Sequence, residues 1–137
     1  MRKTIFRTIC VFTLVFFVMS MAGAAASSNS CKTKTDAKDD SYSIKLKKCP
    51  NTKYCFNYDT VLKNDKGCSL KVTTTGTIKT KLGGTVTMKS NGAFCYKRSS
   101  KCCSGKCSCT DSFKYTVKGT KGSDTATVTL KLKCPNC

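Results

Sequence analysis

The chain has 137 residues and a formal net charge of +18, with 25 Lys or Arg residues against 7 acidic ones, and it contains no His. All of the acidic residues are Asp. The missing His and Glu exclude Ser-His-Asp and Cys-His catalysis, His-ligated zinc and the commonest general acids and bases. We therefore predict a protein that is not an enzyme and that needs no cofactor.

The first 26 residues have the pattern of a secretory signal peptide. Three basic residues precede an apolar run over 9–19, and small residues follow at 22–26. The run is short for a membrane span, so cleavage is favoured over retention as an anchor. We predict a secreted, extracellular protein in which residues 27–40 form a flexible arm tethered by Cys31 and residues 41–137 form one domain.

The cysteine content indicates a disulfide framework. One of the 12 cysteines, Cys10, lies in the signal segment. In an exported chain this density is typical of disulfide stapling, here around the loops and termini of the fold. The remaining candidates are Cys31, Cys49, Cys55, Cys68, Cys95, Cys102, Cys103, Cys107, Cys109, Cys134 and Cys137. Their number is odd, so one thiol is either free or forms an intermolecular disulfide.

The stretch from Cys102 to Cys109 is the densest group of cysteines. Four thiolates within eight residues could bind a soft metal such as zinc or copper(I). Export to an oxidising compartment favours disulfides instead, and neighbouring cysteines are expected to have different partners because their Cβ vectors diverge.

Eight segments alternate between apolar and polar residues, and no segment has a helical period. Period-2 alternation with turn signals every 8 to 12 residues is typical of an all-β sandwich or barrel. The inward positions include Tyr54, Phe56 and Tyr58, and Cys95 is expected to face outward. The predicted strands cover 41–47, 54–58, 69–75, 77–81, 85–89, 93–97, 112–118 and 123–133.

Several of these segments resemble the bacterial cadherin-like, immunoglobulin-like repeats that occur in tandem in large adhesins. The similarity is carried by Val61-Leu-Lys-Asn-Asp65, Gly84-Thr-Val-Thr-Met88, Asn91-Gly-Ala-Phe-Cys-Tyr96, Asp111-Ser-Phe-Lys-Tyr-Thr-Val117 and Asp124-Thr-Ala-Thr-Val-Thr-Leu130. It extends from about Asp36 to Leu132. The resemblance implies an immunoglobulin-like Greek-key β-sandwich of seven to eight strands, here stapled by disulfides, with a role in extracellular adhesion or display.

The sequence departs from these repeats at their calcium-associated loop. That loop is typically acidic, whereas here Lys66-Gly-Cys-Ser69 follows Asp65. Calcium requires several oxygen ligands, so we predict no metal site. The alternative is that the aspartates converge in space from separate segments, namely Asp39, Asp40, Asp59, Asp65 and Asp111.

Outward lysines on three strands predict a basic face. If the first strand and the last two strands share a sheet, one surface carries Lys45, Lys47, Lys114, Lys118, Lys131 and Lys133. Such a face attracts an anionic polysaccharide, another cell-surface or matrix component, or an anionic membrane surface. Lys lacks the bidentate fork of Arg and few aromatic residues remain for stacking, so specific nucleic-acid recognition is not expected. The alternative is a solvated surface that discourages edge pairing.

These observations favour a secreted, non-enzymatic binding or structural module of the cell surface or matrix. The second hypothesis is a secreted cationic effector, antimicrobial or toxin-like, that acts on anionic membranes or host surfaces. The third is a cysteine-rich metal-binding protein.

Overall fold

The structure, a computed structural model, describes residues 30–49, 51–102 and 108–134. The predicted signal peptide lies outside the described residues. Among the described residues, no helix has the length and apolar character needed to span a membrane.

Eight strands in the described residues form two four-stranded sheets. The predicted strands are all present, although their ends differ. The strands are β1 (Asp40–Lys45), β2 (Lys53–Phe56), β3 (Lys71–Val72), β4 (Gly76–Lys79), β5 (Thr85–Met88), β6 (Phe94–Lys97), β7 (Ser108–Gly119) and β8 (Gly122–Lys133).

One sheet has the order β1-β8-β7-β3 and the other the order β2-β6-β5-β4. The hairpin of β7 and β8 pairs antiparallel over its full length, from Ser108 opposite Lys133 to Gly119 opposite Gly122. The first strand pairs with β8 in parallel. Strands far apart in sequence are therefore neighbours, and the predicted all-β sandwich of seven to eight strands is confirmed with eight.

The core lies between the two sheets and follows the alternation of the strands. Tyr115, Val117, Val128 and Leu130 are fully buried. Phe94 is at the centre of an aromatic cluster, with ring centroids 5.1 Å from Tyr42, 4.8 Å from Phe56 and 5.5 Å from Phe113. Apolar area buried in this way is the main stabilising contribution to such a fold.

Two of the differences in strand ends change the placement of particular residues. Tyr58, predicted to face inward, is 99% exposed, because β2 ends at Phe56, which pairs with the first residue of β6, Phe94. Strand β7 begins at Ser108 rather than Ser112, because β8 extends to Lys133 and offers pairing partners that far. Cys109 consequently belongs to a strand.

The segment from Cys31 to Asp39, assigned to the N-terminal arm, makes defined contacts in the structure. Cys31 is bonded to Cys68, and the Thr35 amide donates to the Lys121 carbonyl at 3.2 Å. Asp36 pairs with Lys66 as an isolated antiparallel bridge. A disulfide and backbone hydrogen bonds therefore attach this segment to two loops.

The disulfides occur in two settings. Cys31–Cys68 joins the N-terminal segment to the loop before β3, and Cys134 at the end of β8 is also disulfide-bonded. Cys55–Cys95 instead joins directly opposite residues of β2 and β6 on the outward face of their sheet, where Cys95 was predicted to point. This bond clamps an edge strand rather than a loop or terminus.

Candidate anion-binding surface

The three strands that carry the predicted basic residues are neighbours in one sheet. The outward positions of β1, β8 and β7 are occupied by Lys, Ser and Thr, and none of them is a carboxylate. The inward positions of the same strands carry the core residues. The outer face of this sheet is therefore positively charged and rich in hydroxyl groups that can donate or accept hydrogen bonds.

The register brings three of the six lysines together at one end of the sheet. Lys45 on β1 lies directly opposite Lys133 on β8. Lys131, two residues earlier on β8, lies between Ser43 and Thr110 of the flanking strands. Adjacent strands are about 4.8 Å apart, so these three ammonium groups share one patch. We name Lys45, Lys131 and Lys133 the first lysine cluster.

The other predicted lysines lie outside this cluster. Lys47 is two residues beyond the end of β1, and its amide donates to the Tyr54 hydroxyl at 2.5 Å. Lys114 is opposite Thr127, whose amide donates to the Asp39 carboxylate. Lys118 is opposite Ser123 on β8 and Lys71 on β3. The structure thus divides the predicted face into a dense end and a sparser remainder that borders on Asp39.

The carboxylates gather at the opposite end of the sandwich. The carboxylates of Asp39, Asp59 and Asp65 lie close enough to Asp40 to raise its pKa, and those of Asp36 and Asp124 act on Asp65 in the same way. The two salt bridges of the described residues, Lys38–Asp36 and Lys63–Asp59, lie there too. Among the described residues, the lysines of the first cluster therefore have no carboxylate partner to compete with an external anion.

Asp111 is the exception, because it lies at the lysine-rich end but is fully buried. Its Oδ2 accepts hydrogen bonds from the hydroxyls of Thr80 (2.6 Å) and Tyr96 (3.0 Å). Its Oδ1 accepts from the amides of Leu82 (2.9 Å) and Ser112 (2.8 Å). Asp111 therefore connects the two sheets beneath the basic surface, and its direct contacts are internal hydrogen-bond donors rather than surface lysines.

Asp40 and Asp65 meet at the hydroxyl of Tyr115. This oxygen lies 3.2 Å from Asp40 Oδ2, 3.1 Å from both Asp65 carboxylate oxygens and 3.0 Å from the Val61 carbonyl. A phenol has one proton for all these acceptors. Burial raises the pKa of Asp40 to about 6, and the carboxylates of Asp65, Asp59 and Asp39 add to the rise. Burial likewise raises the pKa of Asp65.

The predicted alternative of converging aspartates is met only in part. Asp39, Asp40, Asp59 and Asp65 are neighbours, whereas Asp111 is at the other end of the sandwich. In the described ranges, no group of three or more Cys, Asp, Glu or His residues has an arrangement that could hold a metal ion.

The raised pKa of Asp40 gives an expected pH dependence of stability. An acid that holds its proton more tightly when folded makes the folded state less stable as pH rises. We expect the Asp40 contribution to fall by about 1 to 2 kcal/mol between about pH 4 and pH 7, after allowance for partial solvent screening. Urea unfolding of the wild type and Asp40→Asn across this range measures it. A difference between the two proteins that stays constant with pH would contradict the assignment.

Three further lysines form a line that the sequence did not predict. On the outward face of the other sheet, Lys53 of β2 is opposite Lys97 of β6, and Thr85 of β5 lies between Lys97 and Lys79 of β4. We name Lys53, Lys79 and Lys97 the second lysine row. Each of these lysines alternates with inward residues, so the sequence alone indicates that it points outward. That the three lie in one line follows only from the register of three separate strand pairings.

The cysteine stretch that suggested a metal site contains a disulfide. Cys102 is bonded to Cys109, so these two sulfur atoms are not free thiolates. We still expect Cys103 to have a different partner from Cys102. Cys103 and Cys107 lie outside the described residues. Cys49 is exposed, and it is the free cysteine within the described part of the chain.

The protein has two packed, mainly antiparallel sheets, and its first strand, β1, pairs in parallel with its last, β8. This arrangement is that of an immunoglobulin-like β-sandwich. A family model described as a bacterial Ig domain matches residues 33–131, which is most of the chain. The protein therefore belongs to the bacterial Ig domain family. A comparison with curated proteins gave no match.

Proposed function

We propose that this protein is a secreted, non-enzymatic module of the cell surface or extracellular matrix that adheres electrostatically to anionic polysaccharide. Bacterial Ig-like domains suggest an extracellular or surface module. The main support for an anionic ligand is the first lysine cluster. It lies on an outer sheet face where β1, β7 and β8 have no outward carboxylate.

The chemistry of this surface fits a repeating anion. Lys45 and Lys133 are like charges on paired residues of adjacent strands, and such charges repel each other unless an anion neutralises them. Surrounding Ser and Thr hydroxyls can hydrogen-bond to sugar hydroxyls, carboxylates or sulfates. Lysine presents a point charge without a fixed geometry, so the surface should distinguish charge density more than sugar identity.

The test replaces the first lysine cluster and measures retention on immobilised heparin. We expect Lys45→Gln/Lys131→Gln/Lys133→Gln to elute at lower salt than the wild type. Because each lysine releases about one counterion when it binds a polyanion, the slope of log affinity against log salt should decrease by about 2 to 3.

A matched control removes three positive charges at other positions on the surface. Lys66, Lys89 and Lys121 are exposed and lie outside both lysine groups. The variant Lys66→Gln/Lys89→Gln/Lys121→Gln should keep nearly the wild-type slope. Equal losses in the two triple variants would show that net charge alone drives retention. Leakage of anionic vesicles with no retention on heparin would instead support the membrane-acting effector.

A further inference from the structure

The second lysine row crosses the whole outer face of its sheet. Lys53, Lys97, Thr85 and Lys79 occupy successive strands in register, in the order β2, β6, β5, β4. The next line of outward residues consists of Cys55, Cys95, Thr87 and Thr77. No outward position of these four strands carries a carboxylate. This face therefore has the same chemistry as the first lysine cluster.

The fold holds these charges together although they repel. Lys53 and Lys97 lie directly opposite each other, and like charges at such positions destabilise a sheet. Their strands are joined two residues away by Cys55–Cys95, whose Cα atoms are 4.0 Å apart. The covalent bond keeps the short edge strand β2 in register, so the row is preformed before any ligand arrives.

The two groups of lysines are at the same end of the sandwich but on opposite faces. The Lys47 amide, just beyond β1, donates to the hydroxyl of Tyr54, which is next to Lys53. The hydroxyl of Thr80, which is next to Lys79, donates to Asp111 near the start of β7. The second lysine row therefore lies at the same end as the first lysine cluster. Packed sheets are about 10 Å apart, and the side chains extend outward from both. This separation exceeds the Debye length of about 8 Å at physiological salt, so each face attracts anions on its own.

We propose that the domain is bivalent, with the second lysine row as a further site for anionic polysaccharide, so that one molecule bridges two polymer chains. A single chain that served both faces would have to reverse direction around the end of two sheets that pack about 10 Å apart. Two separate chains can each lie along one face without bending. This inference rests on the proposed function and extends it from adhesion to cross-linking.

The first experiment counts binding sites with a short sulfated heparin oligosaccharide by isothermal titration calorimetry. All proteins carry Cys49→Ser, because the exposed thiol could produce dimers that imitate bivalency. We expect two oligosaccharides per wild-type molecule. Lys53→Gln/Lys79→Gln/Lys97→Gln and Lys45→Gln/Lys131→Gln/Lys133→Gln should each bind one, a twofold decrease, while Lys66→Gln/Lys89→Gln/Lys121→Gln should bind two.

The second experiment measures cross-linking of long dextran sulfate by light scattering. Wild type should form large particles at intermediate protein-to-polymer ratios that dissolve in excess polymer, as bridging requires. Loss of either lysine group should abolish the particles while the protein still binds, and the control triple should form them. Thermal unfolding of each variant confirms that the fold persists.

The outcomes separate the two proposals. If neither the wild type nor any variant binds the oligosaccharide, the proposed function fails and bivalency fails with it. If the wild type binds one oligosaccharide, or if the Lys53/Lys79/Lys97 variant cross-links as the wild type does, adhesion stands and bivalency is overturned. Binding that needs both groups for a single oligosaccharide would show that one chain wraps around the end.

Discussion

Replacement of Asp111 by Ala should lower the free energy of unfolding by about 3 to 4 kcal/mol, because buried donors left without an acceptor each cost about 1 to 3 kcal/mol and only part of this loss can be relieved. Four donors converge on the buried carboxylate, two hydroxyls and two backbone amides. They come from β6, β7 and the segment between β4 and β5, so both sheets lose a shared connection. Equilibrium unfolding in urea measures the change.

Asp111→Asn separates hydrogen bonding from charge. Both backbone amides bind Oδ1, whereas both hydroxyls bind Oδ2. An asparagine with its oxygen toward Leu82 and Ser112 can donate from nitrogen to Thr80 and Tyr96, whose hydroxyls can rotate to accept. We therefore expect a loss of only about 1 kcal/mol. A loss equal to that of Asp111→Ala would mean that the negative charge itself is required.

The matched control for both substitutions is Asp59→Ala. Asp59 is exposed and forms an ion pair with Lys63 at the surface. Exposed pairs of this kind contribute between about 0 and 1 kcal/mol, so the variant should unfold close to the wild type.

Replacement of Phe94 by Ala should lower the free energy of unfolding by about 3 to 5 kcal/mol, the usual loss for a large aromatic side chain in a core. Phe94 is 1% exposed and contacts the rings of Tyr42, Phe56 and Phe113, which belong to three other strands in both sheets. The substitution would leave a cavity between the two sheets, and the surrounding side chains could fill it only in part. Thermal and urea unfolding monitored by near-ultraviolet circular dichroism would report it.

Tyr58→Ala provides the control for Phe94→Ala. It removes a comparable aromatic side chain that is 99% exposed, and exposed substitutions usually change stability by about 0.5 kcal/mol or less. If Phe94→Ala were as mild as Tyr58→Ala, the aromatic cluster would not be a rigid part of the core.

The sequence was informative wherever one face of a strand is fully buried. In β7 and β8 the alternation of apolar with Lys or Thr residues continues for most of each strand, and burial follows it closely. Alternation does not tell where a pairing partner ends, however. Tyr58 continues the pattern of Tyr54 and Phe56 beyond the last residue that pairs with β6, and it lies in solvent.

The sequence could predict which lysines point outward, but it could not predict which of them lie opposite one another on neighbouring strands. Lys131 and Lys133 could be assigned to the outer surface from β8 alone. The second lysine row depends on which residues of β2, β6, β5 and β4 lie opposite one another, and no local pattern encodes this. Asp111 did leave a signal, because it occupies the same inward phase as Phe113 and Tyr115.

The Cys31–Cys68 bond also determines how the domain would carry a pulling force. Tension applied upstream of Cys31 would pass through the disulfide to the loop before β3 rather than along the backbone into β1. Without the bond, the same tension would load the parallel pairing of β1 with β8 in shear. The bond thus shields the first strand, so that Lys45 would remain beside Lys133 while the module is under mechanical load.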